Sequence, residues 1–246
     1  MDKKIIEEKV GATNGSPRMS ERYSISAIIP AFDEEKNIRN VINTLEDYAL
    51  LKEIIVVDDG SRDATSNMVR KTGARLITLP KNLGKGRAMD VGVKASTGKF
   101  IFFLDADITG LNTEVIDRIV SPVVRGEFDM FVGIRARKAY FLNKMLRLFP
   151  VLGGERILAK EIWDHLPSEY KRGFQIEIAL NYFTKRMGKK MGFEIIRGLS
   201  QTIKEKKYGF IVGFGRRLVM VYDVVLIGIK LYVVHRIRKR LGLVHK

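Results

Sequence analysis

Asp105 and Asp107, one residue apart, close the apolar run Phe100-Ile101-Phe102-Phe103-Leu104. Two carboxylates at that spacing can hold a hard divalent cation through oxygen, with the remaining positions left to water and substrate phosphate. The run is short, aromatic and β-branched and follows Gly98, so it reads as a core strand. Open α/β sheets form their ligand clefts at the carboxyl ends of strands, which is where this pair falls. A second acidic strand end lies upstream, where Ile54-Ile55-Val56-Val57 runs into Asp58-Asp59-Gly60-Ser61. Two acidic strand ends in one sheet point to a site for a nucleotide and a metal.

Other residues offer the opposite charge. Lys85 stands between Gly84 and Gly86 at the start of a predicted helix, with Arg87 close behind. Two cations and exposed backbone N–H groups suit a phosphate, although the same pattern also serves an ordinary helix start. In the second half, Glu177 opens another predicted helix, where it either orients a ligand or simply complements the helix dipole. Asp58 and Asp59 can accept hydrogen bonds from ribose or base, or cap a helix; Asp63 is the simpler cap. The donor set is oxygen, which favours Mg²⁺ or Mn²⁺ over zinc. The chain has no Cys, which excludes disulfides and thiolate metal sites. Trp163 and His165 fall among core-like neighbours and receive no role.

These side chains need a scaffold, and the first half supplies one. Strands are predicted at 25–29, ending at Pro30, and at 54–57, 76–79, 100–104 and 130–134. Helical spacing of Ile38, Val41, Ile42 and Leu45, and helices at 64–71 and 86–95, fall between them. Strand alternating with helix implies an α/β fold around a mostly parallel sheet with right-handed crossovers. Beyond Ile134 an amphipathic stretch at 140–149 is expected, then helices near 157–165 and 176–187 and a strand at 193–196. No linker divides this part, so residues 24–209 read as one domain behind a polar lead-in, 1–23, that lacks an apolar signal core.

The remainder, 210–246, reads as a basic amphipathic tail. Of the net charge of +16, residues 185–246 hold +13, from 16 Lys and Arg against Glu194, Glu205 and Asp223. A basic tail on a nearly balanced domain implies an anionic surface as partner. In LVMVYDVVLIGIKLYVV, residues 218–234, the only charges are Asp223 and Lys230, seven apart and in line with Arg216, so a helix there is apolar but for one stripe. Its 17 residues span roughly 25 Å, short of a ~30 Å hydrocarbon core. His235, Arg236, Arg238, Lys239 and Arg240 follow at once. An interfacial helix on anionic head groups fits this pattern, as do a helix packed on the domain and a dimer seam.

Four segments in order carry a resemblance: Ile28-Ile29-Pro30-Ala31-Phe32-Asp33-Glu34-Glu35, Val57-Asp58-Asp59-Gly60-Ser61, Asn82-Leu83-Gly84-Lys85-Gly86-Arg87-Ala88 and Leu104-Asp105-Ala106-Asp107. Over about residues 24–200 the chain closely resembles family 2 glycosyltransferases of the Rossmann-like GT-A fold, in particular polyprenol- and dolichyl-phosphate sugar transferases. The family's usual Tyr-Asn is Phe32-Asp33 here. The resemblance implies a GDP- or UDP-sugar donor on Pro30, Ala31, Asp33, Glu34, Asp58, Asp59, Gly60, Ser61, Lys85, Gly86, Asp105 and Ala106. It implies Mg²⁺ or Mn²⁺ on Asp105 and Asp107, with Asp107, Lys85 and Glu177 in the catalytic centre. Gly153-Gly154-Glu155-Arg156 and Gly173-Phe174-Gln175-Ile176-Glu177 resemble the acceptor-side motifs, and Arg87, Arg135 and Arg156 are candidates for an acceptor phosphate.

The reading that follows is an enzyme moving a sugar to a polyprenyl phosphate, cytoplasmic and peripheral on the inner face of the membrane, with homodimerisation through the tail an alternative use of that helix. Residues 194–210 also resemble relatives that act on soluble phosphorylated acceptors, such as glucosyl-3-phosphoglycerate synthase. Those carry a metal-binding His where Ser200-Gln201 stands here. A third class, nucleic-acid binding through the tail, is disfavoured because the tail lacks interleaved stacking aromatics.

Overall fold

The computed structural model describes residues 23–136, 153–173, 175–201 and 231. The lead-in, the 140–149 stretch and, apart from Leu231, the tail lie outside the described residues. In chain order the elements are β1 (Ile25–Ala31), α1 (Ile38–Glu46), β2 (Leu51–Asp58), α2 (Thr65–Val69), β3 (Arg75–Thr78), α3 (Lys85–Ala95), β4 (Phe100–Phe103) and β5 (Ile108–Thr109). They continue with α4 (Thr113–Val124), β6 (Met130–Arg135), β7 (Glu155–Ala159), α5 (Lys160–Asp164), α6 (Gln175–Arg186), β8 (Met191–Ile196) and β9 (Ser200–Gln201).

Among the described residues the main sheet has seven strands in the order β3-β2-β1-β4-β7-β6-β8. Only β7 runs against the others. The two faces of each strand serve different cores, as a side-chain period of two requires. Ile25, Ala27, Ile29, Phe102 and Leu104 pack with α1 and α4, while Ile28, Ile101 and Phe103 pack with α3, α5 and α6. Leu231 is buried in this second core.

Two expectations are corrected. The segment read as a helix over 157–165 is β7 followed by the short α5. Glu155, Arg156, Ile157 and Leu158 are buried because β7 lies inside the sheet, between β4 and β6, and a strand covered on both faces shows no alternation. Helix α4 went unread in the sequence, although Val115, Ile116, Ile119, Val120 and Val123 bury one face at helical spacing. Asn112 caps it, its side chain accepting from the Val115 N–H at 2.9 Å.

Register brings the functional ends together. Ala31 pairs with Asp58, Ile28 with Phe103, Phe103 with Arg156, and Gly133 with Glu155. The carboxyl ends of β1, β2, β4 and β6 thus share an edge with the start of the reversed β7. The small β5–β9 pair sets Ile108 opposite Gln201, so the Ser200-Gln201 segment runs beside the chain that leaves Asp107.

Candidate active site

The loops after β1 and β2 are laced to each other. Asp33 is in the left-handed region at φ 53°, its N–H donating to Ser61 Oγ at 2.9 Å while its carboxylate accepts from the Arg62 N–H at 2.8 Å. The Glu34 N–H donates to Thr65 Oγ1 at 2.8 Å, and the Asp59 N–H to the Ala31 carbonyl at 2.8 Å. Pro30, Ala31, Asp33, Glu34, Asp58, Asp59, Gly60 and Ser61 therefore form one rim. Gly60 has φ 75°, and a Cβ there would lie 2.6 Å from the Lys81 carbonyl carbon, so the tight turn excludes any side chain.

The acids of this rim already have partners. Asp58 accepts from the Ser61 N–H at 2.9 Å and from the Ser66 hydroxyl. Asp59 accepts from the Leu83 and Gly84 N–H groups at 2.7 and 2.8 Å, and so ties the β2 loop to the start of α3. At 1% and 3% exposure Asp58 and Asp59 use their carboxylates to brace these loops.

Gly84, at φ 90°, turns the chain into α3, whose first residue is Lys85. The Lys85 ammonium reaches Asp105 Oδ1 at 2.7 Å and Glu177 Oε1 at 3.7 Å. Burial alone would lower its pKa, but attraction to Asp105 and Glu177 outweighs this and raises it, so the cation is permanent at neutral pH. Arg135 Nη2 binds Asp105 Oδ2 at 2.7 Å and also Glu155 Oε1. The result is a continuous line of alternating charge, Glu177, Lys85, Asp105, Arg135, Glu155. Its far end is sequestered, Arg135 being 3% and Glu155 1% exposed.

Arg156 turns inward. Its guanidinium donates to the Gly153 carbonyl at 3.0 and 2.6 Å, and to the Glu177 carbonyl and Asn181 Oδ1, each at 3.3 Å. At 1% exposure it cannot meet an acceptor phosphate without unpacking, so the structure makes it a support for the first turn of α6 and its Glu177. Arg87 parts from the others altogether: it pairs with Asp90 at 3.4 Å and lines a separate cavity. Of the three candidate arginines, Arg135 alone joins the line through Asp105.

Glu155 and Gly154, read in the sequence only as part of an acceptor-side string and given no role of their own, lie directly against the Asp105 line. A Cβ on Gly154 would come within 2.6 Å of Asp105 Oδ2, so only glycine lets β7 begin against that carboxylate. The signal was the Gly-Gly-Glu-Arg string itself, an acid and a base directly behind two glycines. As for a metal, among the described residues no three His, Cys, Asp or Glu side chains form a closed cage. Asp105 and Asp107 supply carboxylates at one strand end, and a cation that keeps several sites for water and phosphate fits such a partial set. His165, exposed just past the end of α5, has its Nδ1 2.8 Å from the Glu161 carbonyl and takes no part.

Over residues 26–194 the sequence matches the profile of Glycosyl transferase family 2. The chain belongs to this family. The sheet and its flanking helices match the GT-A fold. Dodecaprenyl-phosphate galacturonate synthase of Rhizobium johnstonii is 31% identical over 152 residues, covering 57% of this chain and 45% of that protein. Glucosyl-3-phosphoglycerate synthase of Mycobacterium tuberculosis is 30% identical over 140 residues, covering 53% and 41%. The matched regions thus span less than half the length of these two curated relatives. A crystal structure of the latter enzyme with Mn²⁺, UDP and glucosyl-3-phosphoglycerate superposes with a TM-score of 0.70 at 22% identity, over 90% of this chain and 86% of that one. Every candidate residue named above lies inside the span that matches the family.

Proposed function

We propose that this family 2 glycosyltransferase moves a sugar from a nucleoside diphosphate to a polyprenyl phosphate at a membrane surface. The observation that carries the reading is the Glu177–Lys85–Asp105–Arg135–Glu155 line, which puts fixed cations and, among the described residues, no imidazole at the end of β4. A phosphate acceptor is already ionised, so its attack needs alignment and charge stabilisation rather than a strong general base. The acceptor oxygen forms a bond to the anomeric carbon, and the bond from that carbon to the diphosphate breaks. The nucleoside diphosphate leaves with the electron pair, and no proton changes hands. A single displacement of this kind inverts the anomeric centre.

Asp105 and Asp107 would hold Mg²⁺ or Mn²⁺, which supplies Lewis-acid neutralisation of the diphosphate. Lys85 sets a permanent charge beside it, Glu177 orients Lys85, and the buried Arg135 braces Asp105 from its other side. The rim from Pro30 to Ser61 takes the nucleoside. The basic stretch 235–240 meets anionic head groups; Leu231, shortly before it in sequence, is buried in the same core as α3, α5 and α6. Among the described residues no helix is long and apolar enough to cross a membrane.

The test is transfer from labelled UDP- and GDP-sugars, with Mg²⁺ or Mn²⁺, to polyprenyl phosphate in vesicles or to 3-phosphoglycerate in solution. Label entering the organic phase supports the proposal. Label entering only the soluble acceptor replaces it with the soluble-acceptor reading, which the 30% identity to a glucosyl-3-phosphoglycerate synthase keeps in view.

A further inference from the structure

Beyond the centre just described, the opposite side of α3 carries a second concentration of charge. A cavity of about 490 Å³ is lined by Leu83, Arg87, Asp90, Ser168, Lys171, Arg172 and Gly173. Its floor is the Asp90 carboxylate, buried, and bonded to Trp163 Nε1 at 3.3 Å. Three cations converge on this one acid: Lys94 at 2.8 Å, Arg87 at 3.4 Å and Lys171 at 3.5 Å. Arg172 stands exposed beside them, making no ion pair among the described residues. Among the described residues named here, four positive groups thus gather around one buried carboxylate.

One of these cations is held in place, while Arg87, Lys94 and Arg172 reach towards solvent. Lys171 is largely covered and lies 5.2 Å from the centre of the Trp163 ring, a cation–π contact as well as an ion pair. The backbone at Lys171 and Arg172 presses on α3 so closely that a Cβ on Gly86 would be 2.5 Å from the Lys171 carbonyl oxygen. Gly173, at φ 51°, turns the chain from there towards α6. Burial tends to raise the pKa of Asp90, but Lys94, Lys171 and Trp163 outweigh it and hold it below the usual carboxylate range. The floor charge is therefore constant near neutral pH and cannot adjust to balance the walls. Uncompensated charge of one sign in a concave surface focuses its field on an anion. Arginines supply the forked donors that recognise phosphate oxygens.

We propose that this cavity is a second anion site, taking a phosphate group other than the donor's diphosphate, with Arg87 and Arg172 as its principal donors. It does not depend on the acceptor proposed above, because none of its side chains belongs to the Asp105 line. The phosphate can come from a lipid head group or from a soluble phosphorylated molecule, and volume and charge suit either.

The experiment uses the full chain with the donor site filled by saturating UDP and Mg²⁺. Inorganic phosphate is titrated by calorimetry against the wild type, the double variant Arg87→Glu with Arg172→Glu, and a charge-matched control, Arg39→Glu with Arg186→Glu, at exposed positions elsewhere. Saturable binding should weaken about tenfold or more for each arginine lost at the cavity and stay within a factor of two in the control. Thermal unfolding of each variant confirms that it folds. Absence of saturable phosphate binding to the folded wild type, or equal weakening in the control, overturns the proposal. A second arm adds phosphatidylglycerol vesicles. If phosphate displaces vesicles from wild type but not from the cavity variant, the site takes a head group. If vesicles leave the phosphate titration unchanged, it takes a soluble phosphate.

Discussion

The two sides of α3 hold similar residues to different effect. On the inner side Lys85, Arg135 and Arg156 are matched by Asp105, Glu155 and Glu177, mostly buried and linked pair to pair. On the outer side, among the described residues, Arg87, Lys94 and Lys171 share Asp90, Arg172 stands beside them, and most of the four face solvent. Burying charge costs several kcal/mol per ion unless each has a partner, so the inner group is forced into balance and becomes rigid. The outer group escapes that demand and keeps its surplus. Balance positions atoms; surplus attracts a ligand.

The contrast can be broken hardest at the metal pair. Asp107→Asn should lower transfer about 10³-fold or more, since a bound cation contributes several kcal/mol of charge stabilisation. Its far-UV spectrum should stay native because Asp107 lies in the turn between β4 and β5 and Asn keeps its size. Wild-type turnover in that variant would remove Asp107 from the centre. Next comes balance itself. Glu155→Gln leaves Arg135 buried with one partner fewer and should cost about 3–5 kcal/mol in stability, read as a lowered urea midpoint at constant slope.

Lys85→Ala should reduce kcat/KM by an amount equivalent to about 1.5–3 kcal/mol, the range for a charge-assisted hydrogen bond. Because its folded pKa is raised, the stability Lys85 contributes is fully present below the ordinary lysine value near 10.4. It fades only as pH climbs through the higher folded value. The wild-type-minus-K85A stability difference should accordingly be flat from pH 6 to about 10. A decline centred near pH 8 would contradict the ion pairing. Gly154→Ala tests position without changing charge: with 2.6 Å between the new Cβ and Asp105 Oδ2, the carboxylate must shift, and a displacement near 1 Å costs up to about 10²-fold in rate. Unchanged kinetics would show that β7 can give way there.

The smallest effect belongs to the outer side. Lys94→Ala removes the solvent-exposed lysine of an i,i+4 pair and leaves Asp90 its bonds to Lys171 and Trp163, so stability should change by at most about 0.5 kcal/mol. A loss as large as that from Glu155→Gln would erase the distinction between the two groups.

Legibility in the sequence followed the same divide. From β1 to β4 each strand has a short apolar run, and each motif sits at or just beyond its own strand's end. Asp58, Lys85, Asp105 and Asp107 could be placed there from local pattern alone. The stretch 155–159 could not be read as a strand, because a segment buried on both faces loses the alternation that marks one. Once that strand is misread, Glu155 has no visible partner, and Arg156 looks like any surface arginine. Arg87 was grouped with Arg135 and Arg156 by charge, yet it lies two residues past Lys85 on α3, and that turn of helix carries it to the other side.

Residue types and spacing determined that this chain has a strand-end carboxylate pair, a glycine-flanked lysine before it and a predominantly parallel sheet to hold them. Only the tertiary structure decided how those charges are shared. It inserted β7 in reverse between β4 and β6, brought Arg135 and Glu155 to Asp105 from 30 and 50 residues away, and spent Asp59 on the start of α3. The physical reason is range. Hydrophobic periodicity and turn chemistry act within a few residues and are written locally, whereas the pairing of buried charges depends on which strand ends the register brings side by side.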